Sequence, residues 1–168
     1  LGYADGYVRA EGGVVLVLQS AERAAADESR AYARVVATGV NSDGRTNGIA
    51  LPSRHSQAKL LRDIYAEARI RPDDVAFVEA HGTGTRVGDP IEAFTIGEVL
   101  GEGRKSPLPI GSIKSNIGHL EPASGLAGVL KAMLALEHDV VPPTLHFDTP
   151  NPEIPFDDLK RSVCAEPA

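Results

Sequence analysis

A layered α/β fold on a mainly parallel sheet is what this sequence predicts, from three observations. Short β-rich apolar runs alternate along the chain with longer stretches of helical periodicity. Two histidines, His81 and His119, each stand just past the end of such a run, in EAHGTGT (79–85) and KSNIGHLEPASG (114–125). In an open α/β sheet, ligands sit outside the carboxyl ends of the strands, so two imidazoles delivered there can converge on one reacting group. The composition agrees, since 168 residues with 42% hydrophobic side chains suffice for one domain with a real core.

In chain order, Val14 to Leu18 and Tyr32 to Thr38 read as strands, joined by an Ala- and charge-rich connector from Ala21 to Arg30. Asn41-Ser42-Asp43-Gly44 is a turn signal, and the segment from Arg54 to Arg69 carries Leu60, Leu61, Ile64, Tyr65 and Ala68 at helical spacing. Pro72 stops that helix and Val75 to Ala80 forms a short buried strand. Asp89-Pro90 then opens a helix, with an N-cap carboxylate and proline at its first position; its apolar face is Ile91, Phe94 and Ile96 to Leu100, and Gly101 ends it. A further strand, Leu108 to Ile113, leads through a loop from Lys114 to Leu120 into a helix from Pro122 to Glu137. The apolar residues Leu126, Val129, Leu130, Met133, Leu134 and Leu136 predict burial of that helix nearly all round. The tail from Val141 to Phe156 holds five prolines, which exclude regular structure, and Leu145, Phe147, Ile154 and Phe156 give it anchors for wrapping a surface.

A formal net charge of −6 with no Lys/Arg block argues against nucleic acid or an anionic membrane as partner. No apolar run approaches the ~18 residues of a membrane span, and LGYADGYVRAEGG lacks the basic and apolar regions of a signal peptide. One cysteine, Cys164, excludes an intrachain disulfide and fits a reducing compartment, so a soluble cytoplasmic protein is expected. A start at leucine inside a motif leads to the expectation of an excerpt from a longer chain.

The chemistry centres on the two histidines. Two neutral imidazoles facing one oxygen form an oxyanion-stabilising pair that needs no metal. Zinc is not expected, because His81 and His119 lack any His-x-x-His or Cys-x-x-Cys partner spacing. His55, His138 and His146 read as ordinary core or surface side chains. Thr83 and Thr85 offer hydroxyls on the His81 loop to amide and carbonyl partners or to water. Lys114 precedes His119 by five residues, where a cation can orient a carboxylate such as Glu121. Gly82, Gly84 and Gly88 also fit a dinucleotide-binding turn, which keeps a nucleotide-binding module open as an alternative. Asp89 counts against it, since a carboxylate at the helix start repels a pyrophosphate.

EAHGTGTRVGDPIEA and GSIKSNIGHLEPASGLAGVLKAMLALEH resemble the two histidine motifs of β-ketoacyl synthases, specifically the ketosynthase domain of modular polyketide synthases. DGYVRAEGGVVLVL, GVNSDGRTNGIALPS and VPPTLHFDTPNPEIPF resemble the same family, so the likeness covers essentially the whole chain. The resemblance implies a thiolase-like layered fold, here its C-terminal half. Residues 1–140 would be the C-terminal part of the synthase domain, and 141–168 a proline-rich segment of that domain. It also implies decarboxylative condensation of an acyl thioester with a malonyl-type extender on the phosphopantetheine arm of an acyl carrier protein, with no cofactor bound directly. His81 and His119 match the catalytic histidines, Lys114 the neighbouring lysine, and Thr83 and Thr85 the threonines that contact the arm. The expected partners are the carrier protein, the N-terminal half of the ketosynthase and, in the complete protein, a second copy in a homodimer. A catalytically silent pairing partner is the remaining alternative within the family. The family's nucleophilic cysteine lies upstream of the DGYVR segment, and Cys164, in Arg-Ser-Val-Cys-Ala-Glu-Pro, does not match it. The chain alone is therefore expected to be inert. Ala10 and Val14 stand where the family has glycines, a difference that bears on local turn geometry.

Overall fold

The computed structural model describes residues 2, 6–46, 48 and 51–167. Its centre is a three-stranded parallel sheet in the order β1 (Val78–Glu79), β2 (Leu108–Gly111), β3 (Arg161–Val163). The register sets Val78 opposite Ile110, and Leu108 and Ile110 opposite Arg161 and Val163. Alternation along β2 divides the molecule into layers. Leu108 and Ile110 are fully buried in a core with Ala80, Ile96 and Leu100, whereas a side chain at Gly111 would point at Lys131 Nζ on the opposite face.

On the Leu108 face lie α2 (Arg54–Ala68) and α3 (Gly88–Ile96), which supply Leu61, Tyr65 and Ile96 to that core, and the turn after α3 adds Leu100. Helix α2 begins at Ser53, whose side chain accepts from Ser56 N, and ends at Arg69 in the left-handed conformation. There Ile70 N donates to Tyr65 O, and Pro72 opens a short 3₁₀ turn to Asp74. Helix α3 runs on through a π turn, Gly97–Gly101. It starts two residues earlier than its sequence predicts. Val87 precedes the first turn and Asp89 lies inside the helix, so Asp89 is not the N-cap; its carboxylate instead reaches back to the preceding loop.

On the other face lies α5 (Ser124–His138), preceded by a one-turn helix α4 (Lys114–Ile117) where a loop was expected, and by a 3₁₀ turn, Glu121–Ala123. The predicted all-round burial of α5 is wrong. Ser124, Ala127, Lys131 and Ala135 form its buried stripe, while Leu126, Val129, Leu134 and Leu136 are between 41% and 61% exposed. Small residues and one lysine face the sheet, and among the described residues no layer covers the leucine-rich side. The same reason accounts for the runs at 14–18 and 32–38, which form no strand. Val15 and Val17 are at least 90% exposed, and among the described residues their backbones meet no neighbouring edge to pair with. The connector between them contains a six-residue helix, α1 (Ala21–Ala26), capped by Ser20.

The tail is irregular up to Lys160, with Asn151 and Ile154 buried, and its return to the sheet as β3 was not visible in the sequence. That strand puts Arg161 into the core at 2% exposure, beside Gly97 and Leu159. Among the described residues none of its guanidinium nitrogens has a hydrogen-bond partner, and burial pushes its pKa down to about 10. A charge held this way opposes folding. Arg161→Leu is therefore expected to stabilise the protein, by about 1–4 kcal/mol on the scale of buried charges replaced by apolar groups. Urea unfolding followed by circular dichroism measures it, and a lowered midpoint would show that the guanidinium is usefully paired.

Candidate active site

The turn after β1 is shaped by its glycines and tied down by helix α3. Gly82 has φ of +47°, and a Cβ there would lie 2.9 Å from Ser112 Cβ, so only glycine lets the chain turn this close to β2. Glu92 turns its carboxylate back from the second turn of α3: Oε1 accepts from His81 N at 2.7 Å and Oε2 from Gly82 N at 2.8 Å. Asp89 Oδ1 accepts from Gly84 N at 3.0 Å. These three N–H groups are the donors a dinucleotide phosphate would need, and two carboxylates already hold them. Glu92 was missed in the sequence, where only its helical position was legible.

A third carboxylate joins the elements that carry the site. Glu79, at the end of β1, accepts from Ile113 N through Oε1 and from Lys131 Nζ through Oε2, both at 2.6 Å. Ile113 directly precedes Lys114, and Lys131 belongs to α5. The ion pair is almost buried, with side-chain exposures of 11% for Glu79 and 9% for Lys131.

The structure brings His81 and His119 together, with ring centroids 5.4 Å apart and planes at 89°. Nδ1 of His119 accepts from Glu121 N at 2.9 Å and lies 2.9 Å from Ser124 Oγ. A backbone N–H can only donate, so in the neutral ring the proton resides on Nε2, which is left as the outward donor. Lys114 borders both cavities beside the histidines. One, of about 320 Å³, is lined by His119, Lys114, Thr83, Leu145 and Phe147; the other, of about 310 Å³, by His81, Lys114, Glu79, Ser124 and Val129. His146, set aside in the sequence as an ordinary side chain, also lines the first. Thr83 reaches that cavity. Thr85 Oγ1 accepts from Gly88 N at 3.1 Å and sits 3.4 Å from Thr83 Oγ1, so it adjoins the cavity through its neighbour.

The electrostatics favour a neutral His81. Its pKa is lowered, first by burial among the surrounding chain and then by the charge of Lys114 and the presence of His119. Burial also lowers the pKa of Lys114, against the pull of Glu92, Glu79 and Asp89. These are the carboxylates around Lys114. Glu121, expected beside it, pairs instead with Arg9 at 2.8 Å. Burial raises the pKa of Glu92 even though its two backbone hydrogen bonds work in the opposite sense. Cys164 is 6% exposed and its thiol pKa is raised by burial.

Comparison with known proteins places this arrangement in a family. Residues 32–148, well over half of the chain, match the family model "Beta-ketoacyl synthase, C-terminal domain". The chain is 50% identical over 165 residues to polyketide synthase GfsA of Streptomyces halstedii, covering 98% of this chain and 2% of that protein. It is also 53% identical over 159 residues to the hybrid PKS-NRPS synthetase pynA of Aspergillus niger, covering 95% and 4%. Among solved structures, the ketosynthase from module 6 of the bacillaene synthase of Bacillus subtilis 168 matches with a TM-score of 0.86 at 43% identity, over 89% of this chain and 27% of that one. The oxazolomycin ketosynthase domain OzmH KS7 of Streptomyces albus JA3453 matches with a TM-score of 0.93 at 36% identity, over 98% and 29%. The chain thus spans under a third of those ketosynthases and under a tenth of those synthases. With two histidine loops meeting at the carboxyl ends of parallel strands, and with these likenesses along nearly its whole length, the chain belongs to the β-ketoacyl synthase family, as the C-terminal portion of a thiolase-like ketosynthase.

Proposed function

We propose that this segment supplies the oxyanion-stabilising part of a polyketide synthase condensing site, working within a longer polypeptide that provides the thiol. The paired imidazoles carry this reading. They stand 5.4 Å apart between centroids, and on His119 the Nδ1 acceptor leaves Nε2–H as donor. In the proposed reaction a malonyl-type thioester on a carrier protein's phosphopantetheine arm loses carbon dioxide. The electrons of the broken C–C bond pass into the thioester as an enolate, whose oxygen takes hydrogen bonds from His81 and His119. The enolate carbon then attacks an acyl-cysteine carbonyl, the C–S bond breaks, and the thiolate is regenerated. Burial, with the charge of Lys114 acting in the same sense, favours the neutral form of His81, and the hydroxyls of Thr83 and Thr85 serve the arm.

Cys164 does not fit the nucleophile. A thiol buried at the end of β3 with a raised pKa has little thiolate to offer, and its backbone is held by Ile110 and Thr144. Incubated with an acyl donor and a malonyl carrier protein, the 168-residue chain should show neither acylation at Cys164 nor a β-ketoacyl product by mass spectrometry. Acylation with product formation would overturn this assignment.

In the full-length synthase, His81→Ala and His119→Ala should each lower condensation about 100-fold or more, the usual cost of one oxyanion donor. Product formation by mass spectrometry, with folding checked by circular dichroism, is the test, and undiminished turnover in either variant would refute the reading. The lowered pKa of His81 gives a signed expectation. Removing the Lys114 charge by Lys114→Ala should raise the His81 titration midpoint, while burial, the larger cause, keeps it below 6.5. The imidazole proton shifts in an NMR titration report it, and a midpoint that falls or stays fixed would show that Lys114 does not act on His81.

A further inference from the structure

We propose that Tyr7, Arg9 and Glu121 form a clamp that holds His119 as an outward Nε2–H donor, making them positioning residues for the reaction; this rests on the ketosynthase reading above. Residues 7–10 run beside His119 and fix its backbone from both sides. His119 N donates to Val8 O at 2.8 Å, and Ala10 N donates to His119 O at 2.9 Å. The Tyr7 ring lies 4.8 Å from the imidazole, tilted by 50°. Gly118, at φ +74°, permits this approach, since a Cβ would lie 2.9 Å from both Ala10 Cβ and Val8 O.

Glu121 is the hinge of the arrangement. Its φ of +52° is left-handed, a conformation that a residue with a side chain holds only when its surroundings impose it. In that conformation its N–H points at His119 Nδ1, and its carboxylate is gripped at the other end. Oε1 accepts from Tyr7 Oη at 3.3 Å and pairs with Arg9 Nε at 2.8 Å. Arg9 is 74% exposed and Glu121 38%, so the pair contributes little to global stability. Its effect falls on local geometry. The clamp therefore predicts a loss of turnover without a loss of folding.

The test uses the full-length synthase with Arg9→Met, Glu121→Ala and Glu121→Gln. Arg9→Met and Glu121→Ala should lower kcat for decarboxylation of a malonyl carrier protein about tenfold or more, as expected when a catalytic group is slightly misplaced. KM for the carrier and Tm should stay close to wild type. Glu121→Gln keeps an oxygen acceptor for Tyr7 and Arg9 and should recover most of kcat. If kcat is unchanged in both disruptive variants, or falls only together with Tm, the clamp is refuted, as it is if Gln is as poor as Ala. Arg9→Gln replaces any variant that does not fold and is judged by the same criterion. A wild-type synthase that fails to condense would defeat the ketosynthase reading itself, whereas an active wild type with unaffected variants would defeat the clamp alone.

Discussion

The carboxylate of Glu79 is the tie on which the site depends. One oxygen holds the peptide N–H that leads into Lys114, the other holds the ammonium of Lys131 on α5, and its own backbone ends the strand that delivers His81. Three segments distant in sequence thus meet at one side chain. Both charges are nearly out of water, and removing one partner of such a pair typically costs about 3–5 kcal/mol because the other is left stranded. The helix cooperates by carrying Gly128 at the contact, where a Cβ would come within 3.2 Å of Glu79 Cγ. Placing the histidine loops therefore calls for a small residue and a lysine on α5, which explains why its sheet-facing stripe is so poor in large apolar side chains.

The parts of the fold legible in the sequence are those with a local signal. Helical spacing located α2, the α3 region and α5, and apolar runs located β1 and β2, each to within a few residues. The histidine pair was legible because each loop has its own motif and the parallel sheet makes their meeting geometrically natural. What stayed hidden depends on partners distant in sequence. Nothing near Glu92 shows that it will turn back to His81 N and Gly82 N, and nothing near Arg9 points to Glu121. Strand β3 is only three residues long and begins with an arginine, so no apolar alternation announces it.

The misreadings of α5 and of the two early runs share one physical origin. Periodicity in a sequence says which side chains are suited to burial, not what covers them. On α5 and in the runs at 14–18 and 32–38, the pattern anticipates covering layers that are not found among the described residues. Most of the valines and leucines left open lie on the α5 side and in the first forty residues, whereas the core under α2 and α3 is closed.

The turn that carries His81 has a consequence in entropy. Its peptide groups are held by Glu92 and Asp89 before anything arrives, so the backbone beneath the imidazole has already surrendered its conformational freedom. That ordering is completed when the chain folds rather than at each encounter with a substrate, and none of it need be drawn from the energy of binding. In the proposed condensing role, two carboxylates that hold backbone N–H groups thereby shift a cost from each turnover to a single folding event.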